Sequence, residues 1–245
     1  PSAHFNILLY TGDDNNDRAL TNSANAGDFQ PDWVWIKNRT GGTKSHQLVD
    51  SSRGVNAYIF TDDASGESTL TNRLDSFDSN GFTTDNHSSV NEATRTYVAW
   101  QWKANGGSLT TNDASSTGIG SLDSQYQANT TAGFSIVDYT GTGAAGTMAH
   151  GLGVVPHTIW VQNRDEGEDW AVYHKRASSA GNDSYLRLNT NDGAATAGTV
   201  WNDTSPTSTV FTIGSNNKTN KINNLRSNLI DTFFVKVSIY FVITL

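Results

Sequence analysis

The residues best suited to metal chemistry are the acidic side chains near the start of the chain. The stretch Asp13–Asp17 reads Asp-Asp-Asn-Asn-Asp and groups the oxygen ligands that Ca²⁺ prefers. An EF-hand loop starting at Asp13 needs glycine at its sixth position and glutamate at its twelfth, where this chain has Arg18 and Ala24. We therefore predict no cofactor, and favour a solvated turn over a loop calcium site. The other aspartates considered for such a site are Asp28, Asp32, Asp62, Asp63 and Asp85.

Catalytic motifs give no support for an enzyme. The histidines do not form the H-x-x-x-H or H-E-x-x-H spacing of a helical zinc site, and no G-x-S-x-G nucleophile motif occurs. The lack of cysteine excludes disulfides, thiolate metal sites and cysteine nucleophiles. Paired carboxylates for glycoside hydrolysis are defined by their separation in space, so the sequence does not select a pair. We predict that the protein is not an enzyme. The histidines are His4, His46, His87, His150, His157 and His174.

Tryptophan is the residue type best suited to ligand contact, because its large ring has an apolar face and a polar N–H. The run 33–39, Trp-Val-Trp-Ile-Lys-Asn-Arg, is similar to the run 158–164, Thr-Ile-Trp-Val-Gln-Asn-Arg. The recurrence of Trp35 as Trp160 favours a structural role for both residues. Trp33 corresponds to a threonine, so the fold does not require a ring there. Stacking on a sugar and packing against a neighbour are both open for Trp33.

Three further residues complete the set of candidates. Trp201 is the second candidate for contact with a ligand or partner, with the anchoring of a loop as the alternative. Arg39 and Arg164 end the two similar runs, each after an asparagine. We predict that these arginines share a capping or inter-sheet hydrogen-bonding role rather than bind a ligand.

The chain contains an internal repeat. Besides the tryptophan runs, Phe5–Gly12 is similar to Phe134–Gly141, and shorter matches follow in the same order. Two copies of one unit of roughly a hundred residues explain this order. The intervening stretch is rich in Gly, Ser, Thr and Asn, which is typical of a linker or long surface loop. The predicted division is a first repeat at 1–104, a linker at 105–132 and a second repeat at 133–245.

Short strands separated by turns predict an all-β fold. The abundance of Asn, Thr, Ser and Gly disfavours the long helices that a parallel sheet needs for its crossovers. We predict two tandem antiparallel β-sandwich domains of the jelly-roll type. In the run 33–37, Val34 and Ile36 face one way and Trp33 and Trp35 the other, as in a central strand covered on both sides. The clearest strands are Phe5–Tyr10, Trp33–Lys37, Ala57–Thr61 and Thr96–Trp102.

The C-terminal segment departs from the repeat. The strand Thr96–Trp102 should recur near Leu225–Leu229, but the residues there lack its Tyr-Val-Ala pattern. A frameshift after about Asn216 is our hypothesis, and divergence of the two copies is the alternative. The last residues, Val235–Leu245, are rich in β-branched and aromatic side chains and predict a strand. That strand either closes its own domain, which is favoured, or pairs with another subunit.

Composition excludes two classes of partner. The chain has 16 basic and 24 acidic residues, a net charge of −8, and no basic cluster for contact with phosphates. We therefore predict no binding to nucleic acid. The longest apolar run, Phe233–Leu245, contains Lys236 and Ser238 and is shorter than the roughly 20 residues of a membrane-spanning helix. We predict no insertion into a membrane.

Several runs follow the pattern of one known type of domain. They lie at 29–39, 45–48, 50–54, 76–82, 97–103, 133–137, 139–143 and 150–153. Together they resemble a repeat domain found in virion structural proteins of marine tailed bacteriophages. The resemblance extends from Phe5 to about Gly214 and ends there, because the family continues with another Tyr-Val-Ala strand.

The resemblance implies a structural protein on the virion surface, outside the cell. Such a fibre, spike or capsid decoration is expected to form a symmetric oligomer, to bind other virion proteins and to contact glycans of the host surface. The family supplies no catalytic residues. The alternative function is a carbohydrate-binding or adhesin module of an extracellular filament, and a hydrolase acting on host polysaccharide is the third option.

Overall fold

Antiparallel strands make up most of the secondary structure. The computed structural model describes residues 3–22, 27–40, 42–177 and 183–220, and the backbone of residues 229–235. Within these ranges every strand pair is antiparallel. The helices there are two short ones, α1 (Ala114–Thr117) and α2 (Gly198–Trp201). The predicted antiparallel, mostly β class is confirmed.

The first part of the chain forms a six-stranded sheet and a three-stranded sheet. The four strands predicted most clearly are all present in the larger sheet, with ends that differ by at most one residue. Its spatial order is β1 (Phe5–Thr11), β9 (Thr96–Trp102), β3 (Trp33–Asn38), β4 (Gln47–Asp50), β5 (Ala57–Phe60) and β6 (Ser68–Thr69). The smaller sheet has the order β2 (Arg18–Thr21), β8 (Gly81–Thr84) and β7 (Leu74–Asp78).

The second part forms another six-stranded sheet and two strand pairs. The sheet has the order β10 (Thr110–Asn112), β11 (Ser124–Asn129), β12 (Phe134–Thr140), β19 (Leu229–Val235), β14 (Thr158–Asn163) and β15 (Ala171–His174). The pairs are β13 (Gly146–Ala149) with β18 (Val210–Ile213), and β16 (Ser184–Tyr185) with β17 (Ala195–Thr196).

The stretch 105–132, predicted as a linker, contains β10, α1 and β11. Strand β11 pairs along its whole length with β12, and Tyr126 and Ala128 pack on the core of the second part. Composition does not reveal strand β11 because its alternate positions are polar: Gln125 is exposed, and the buried Gln127 bonds to the hydroxyls of Ser51 and Ser52. A polar strand with buried hydrogen-bond partners has the composition of a loop.

Three hydrophobic cores lie between the sheets. The first core lies between the first six-stranded sheet and the three-stranded sheet, and includes Val34 and Ile36. The second joins the other six-stranded sheet to the short pairs and α2. The third contains Trp33 of β3 with Phe134 and Ile136 of β12, so it joins the two six-stranded sheets. The prediction that both faces of the strand 33–37 are covered is therefore confirmed.

Side-chain hydrogen bonds recur at matching positions of the two parts. Tyr10 donates from its Oη to the carbonyl oxygen of Val90 at 2.7 Å, and Tyr139 donates to that of Thr219 at 2.7 Å, each across 80 residues of sequence. These hydrogen bonds tie β1 to Val90, which precedes β9 in the chain, and β12 to Thr219, which precedes β19.

The asparagines at the ends of β3 and β14 show the same correspondence. Asn38 accepts from the amide of Thr40 at 3.0 Å, as Asn163 accepts from that of Asp165 at 3.0 Å. The Nδ2 atoms donate to the carbonyls of Ser88 and Asn217 at 3.4 and 3.1 Å. A buried amide that bonds to both sides fixes the exit of each strand.

The strand missing from the second repeat in the sequence is supplied by residues 229–235. Strand β19 lies between β12 and β14, just as β9 lies between β1 and β3. It begins where the predicted recurrence, Leu225–Leu229, would end. Residues 236–245 lie outside the described residues, so the rest of the predicted tail strand stays a prediction.

His150 predicts a specific dependence of stability on pH. The imidazole accepts from the amide of Leu152 at its Nδ1 and lies 3.3 Å from the carbonyl of Thr207 at its Nε2, which suits the neutral ring with hydrogen on Nε2. Burial lowers the pKa of His150 to about 4, with the Thr207 bond opposing the shift. The folded state therefore binds fewer protons than the unfolded state between about pH 4 and 6.5.

We expect the free energy of unfolding to fall by about 3 kcal/mol as the pH drops through this window. Above about pH 6.5 the stabilisation by the neutral His150 ring is fully present. Urea unfolding at a series of pH values measures the loss. His150→Gln should remove this part of the pH dependence while retaining His46 and His87, whose pKa values are also lowered. An unchanged pH slope in the variant would contradict the assignment.

Candidate functional site

The structure brings three of the sequence-predicted tryptophans together between the two large sheets. The Trp33 and Trp160 ring centroids are 6.1 Å apart, and those of Trp35 and Trp160 are 5.8 Å apart, both in edge-on geometry. Trp33 is 2% exposed and also contacts Trp102 and Phe134. We call these five rings the aromatic junction. In it, Trp33 has no open face for a sugar, and the neighbour against which it packs is the other half of the chain.

Trp201 lies elsewhere, in the core of the second part. Its side chain is 1% exposed, and its ring packs edge-on against Tyr173 at 5.9 Å. Trp170, which the sequence did not single out as a site residue, joins the two parts instead. It is fully buried, and its Nε1 donates to the carbonyl of Phe60 at 2.9 Å. Of these two rings, Trp170 is therefore the one that contacts both halves.

Arg39 and Arg164 do not share one role, although the asparagines before them do. Arg39 is exposed, and its backbone amide donates to Thr96 at 2.7 Å. The Arg164 side chain is 9% exposed, and it ion-pairs with Glu67 at 2.7 Å and with Asp138 at 3.4 Å. The difference arises because a loop of the first part, 62–67, packs on the end of β14, whereas among the described residues no corresponding loop of the second part bonds to the end of β3.

Arg164 is part of a row of charges that crosses between the two parts. Glu67 accepts from Arg53 at 3.1 Å as well as from Arg164, and Arg53 pairs with the fully buried Asp50 at 2.6 Å. The two guanidinium groups hold the pKa of Glu67 below its ordinary value against the opposing effect of burial. We call these residues, with Asp138, the charge row. Buried ions need partners to offset lost hydration, so the charge row stabilises one arrangement of the two halves.

A cleft beside the aromatic junction is the candidate functional site. Its volume is about 680 Å³, and both parts of the chain line it. The first part contributes Trp35, His46, Thr61 and Asp62, and the second contributes Leu188, Asn189, Thr190 and Asn191. Trp35 is half-buried, and its Nε1 donates to the Thr61 hydroxyl at 2.9 Å, which fixes the plane of the ring.

Two polar residues that line the cleft, His46 after β3 and Asp62 after β5, interact with each other, and His46 also interacts with Lys37 on β3. His46 donates from its backbone amide to Asp62 at 2.8 Å, and its Nε2 lies 3.9 Å from the same carboxylate. The Lys37 ammonium also contacts His46 Nε2. Burial lowers the pKa of His46, and Lys37 adds to the shift while Asp62 opposes it. A neutral imidazole that accepts from Lys37 fits this arrangement.

The lining of the cleft is suited to binding a small ligand. A fixed indole and Leu188 provide an apolar surface, and amide, hydroxyl, imidazole and carboxylate groups surround it. This combination matches a neutral ligand with one apolar face and many hydroxyls, such as a pyranose ring. Among the described residues that line the cleft, Asp62 is the only carboxylate.

The acidic loop Asp13–Asp17 is held by the protein's own donors. Asp13 ion-pairs with Arg18 at 3.2 Å and accepts from the Asn91 side chain at 3.0 Å. The backbone amide of Asn15, which donates to Asp13, is the main cause that holds the pKa of Asp13 below its ordinary value, and Asn91 and Arg18 add to it. Asp32 likewise accepts from the amides of Ala104 and Gly106. In the described part of the chain, no three acidic or histidine side chains are grouped as a metal site would require.

Sequence reasoning missed most of the cleft. The sequence patterns treat His46 only as one of the histidines outside any zinc motif, and Asp62 separately as a candidate calcium ligand. Residues 188–191 lie far along the chain from Trp35 and reach it only because the two large sheets pack face to face. No local pattern signals that contact.

The comparisons with known proteins identify a family. A family model described as "Domain of unknown function (DUF7483)" matches residues 1–240, which includes the segment beyond Gly214 where the resemblance to phage proteins ends. Curated proteins and solved structures gave no match. Among the described residues, no helix has the length and apolar character to cross a membrane. Since the match spans almost the whole chain, the protein belongs to the DUF7483 family.

Proposed function

We propose that the chain is a non-enzymatic structural component of the exterior of a bacteriophage particle, in a fibre, a spike or a capsid decoration. The resemblance of its sequence runs to virion structural proteins supports the location. The role requires a rigid block that binds other virion proteins and further copies of itself. Such a block needs stable packing rather than a reactive site.

The proposal includes a fold of two tandem, related β-sandwich units. The matching strand orders β1-β9-β3-β4 and β12-β19-β14-β15 support it. The recurring tyrosine and asparagine hydrogen bonds support it as well. A duplication that keeps both the order of the strands and the contacts at their ends is more economical than two independent origins.

The observation that carries the proposed role is the fusion of the two halves. The aromatic junction and the charge row lie between the large sheets, and Glu67 also donates from its backbone to the carbonyl of Arg164 at 2.7 Å. Buried aromatic area and paired buried charges together oppose the independent movement of domains that a simple linker permits. The result is a single rigid body suited to repeated assembly.

Purified particles of the source phage test the location. Mass spectrometry should detect this chain in the particles, and antibodies raised against it should label the particle exterior in negative-stain images. Particles that lack the chain, or a chain found only in infected-cell lysate, would contradict the proposal. Cleavage of any polysaccharide in a broad host panel by the pure protein would contradict the non-enzymatic role.

Carbohydrate binding is the second candidate function, and the cleft at Trp35 favours it. A glycan array with the labelled protein should reveal bound sugars, and titration then gives the affinity. Trp35→Leu removes the stacking surface but keeps apolar volume, so we expect affinity to fall at least about tenfold. Trp100→Leu is the matched control, because Trp100 is half-buried beside Trp35 at 4.7 Å yet does not line the cleft.

Both variants should be tested below their unfolding temperatures. Equal loss of binding in both would indicate a general effect on the sheet rather than a site at Trp35. No binding by the unmodified protein to any glycan would leave the structural role as the sole proposal.

A further inference from the structure

Among the described residues, strand β1 is the edge of the first large sheet, and no strand lies beside its outer row of backbone groups. It pairs with β9 on one side. His4 accepts from the amide of Lys103 at 2.9 Å and Gly12 donates to Arg95 at 2.8 Å, so even-numbered residues bond to β9. In an antiparallel ladder, the odd-numbered residues then point their N–H and C=O groups outward. Thr11 uses its carbonyl for Arg18 at 2.6 Å, so within the part of the chain that the structure describes the groups of Phe5, Ile7 and Leu9 lie at the open edge.

The same strand exposes apolar side chains. Ile7 is 43% exposed and Leu9 is 62% exposed, and both lie on one face of the strand. Natural edge strands are usually short or carry lysine, proline or a bulge, which prevents pairing with other chains. Strand β1 has seven residues and none of these features. Its edge therefore lacks the features that normally prevent pairing with another strand.

The corresponding strand of the second sheet has the matching edge covered by β11. Strand β12 is flanked by β11, which places Gln127 opposite Ile136 and Gln125 opposite Asp138. In the alignment of Phe5–Gly12 with Phe134–Gly141, Ile7 and Leu9 occupy the places of Ile136 and Asp138. The partner of β12 is polar where β12 carries an aspartate. At the same place β1 carries a leucine, which would gain most from an apolar cross-strand neighbour.

We infer that the open edge of β1 pairs antiparallel with β1 of a second copy, with Ile7 of each chain opposite Leu9 of the other. In this register the outward groups of both strands face each other, and a two-fold axis passes between the two Leu8 residues. Each exposed leucine gains an apolar cross-strand neighbour. The inference deepens the proposed assembly role and rests on it.

Charge favours a second copy as the occupant. The whole chain carries a net charge of −8, which opposes association in general, but Phe5–Thr11 contains no charged residue. Two copies of β1 therefore meet without facing like charges along the strand. One strand pair buries less than a standard interface of about 1,600 Å², so the pure chain should dimerise weakly and in a concentration-dependent way.

Sedimentation equilibrium over a range of concentrations tests the pairing. The unmodified chain should rise from 26.5 kDa towards twice that mass. Leu9→Lys should weaken dimerisation at least about tenfold, because it places a charge opposite an apolar neighbour. Val155→Lys is the matched control, since Val155 is 43% exposed and lies outside β1, and it should dimerise like the unmodified chain.

A single introduced cysteine tests the register, because the chain has no cysteine of its own. Residues at the two-fold axis form a non-hydrogen-bonded pair about 4.5 Å apart at Cα, which suits a disulfide. Leu8→Cys should therefore form a disulfide-linked dimer under mild oxidation, and Val155→Cys should not. Thermal unfolding of each variant checks that the fold is intact.

A chain that stays monomeric at every concentration, or an unchanged dimer in Leu9→Lys, would overturn the inference. So would equal cross-linking by Leu8→Cys and Val155→Cys. A chain that is found on particles but is monomeric in solution would overturn the edge pairing alone, and absence from particles with intact pairing would overturn only the virion role.

Discussion

Replacing Trp33 with alanine should lower the free energy of unfolding by about 3–5 kcal/mol, the usual cost of truncating a buried tryptophan. Trp33 is 2% exposed and contacts Trp102 of its own sheet at 6.0 Å. It also contacts Phe134 and Trp160 of the other large sheet at 5.8 and 6.1 Å. The cavity would lie between two separately hydrogen-bonded sheets, so both halves lose packing. Urea unfolding measures the change.

Trp201→Ala is the matched control for the location of the effect. Trp201 is as well buried as Trp33, but it packs in the core of the second part alone. We expect a similar total loss of stability from both substitutions. Hydrogen exchange distinguishes them: Trp33→Ala should speed exchange in β3 and in β12, whereas Trp201→Ala should leave β3 unchanged. A loss below about 1 kcal/mol for Trp33→Ala, or exchange confined to β3, would contradict the role of the aromatic junction.

The strands and the alternation of their faces were predictable from sequence because both are local properties. Val34 and Ile36 alternate with Trp33 and Trp35, and the structure has the first pair in one core and the second pair at the other. A period of two is set by the geometry of a single extended strand. The repeat was detectable for a similar reason, since it compares the chain with itself and needs no knowledge of packing.

What covers each face was not predictable, because it depends on contacts between distant residues. The large apolar side chain of Trp33 indicated either a covering layer or a ligand, and sequence alone could not choose between them. The same limit applies to Arg164, whose partner Glu67 lies 97 residues away, and to the cleft, where Leu188 faces Trp35. The polar strand β11 was not recognisable in the sequence for a different reason: the side chain of its buried Gln127 bonds to side chains of the other half.

Replacing Asp50 with alanine should lower the free energy of unfolding by about 3–5 kcal/mol, the range observed when one member of a buried ion pair is removed. Asp50 and Arg53 have side chains that are 0% and 1% exposed, and the carboxylate also accepts from the amides of Ser52 and Arg53. The variant would retain a buried guanidinium with Glu67 as the nearest remaining carboxylate in the charge row. Chemical denaturation at neutral pH gives the loss.

Two further variants separate burial of the charge from the pairing itself. Glu92→Ala removes the exposed pair between Glu92 and Arg95, whose side chains are 36% and 42% exposed, and should cost about 0–1 kcal/mol. The double substitution Asp50→Leu with Arg53→Met replaces the buried pair with apolar groups and should recover much of the stability lost in Asp50→Ala. Because Arg53 also contacts Glu67, that recovery would come with a weaker tie between the two halves, seen as faster hydrogen exchange where the loop 62–67 meets β14. A double variant as unstable as Asp50→Ala would instead mean that the lost bonds of Asp50 to the amides of Ser52 and Arg53 or the lost pairing in the charge row, and not the burial of an isolated ion, account for the loss.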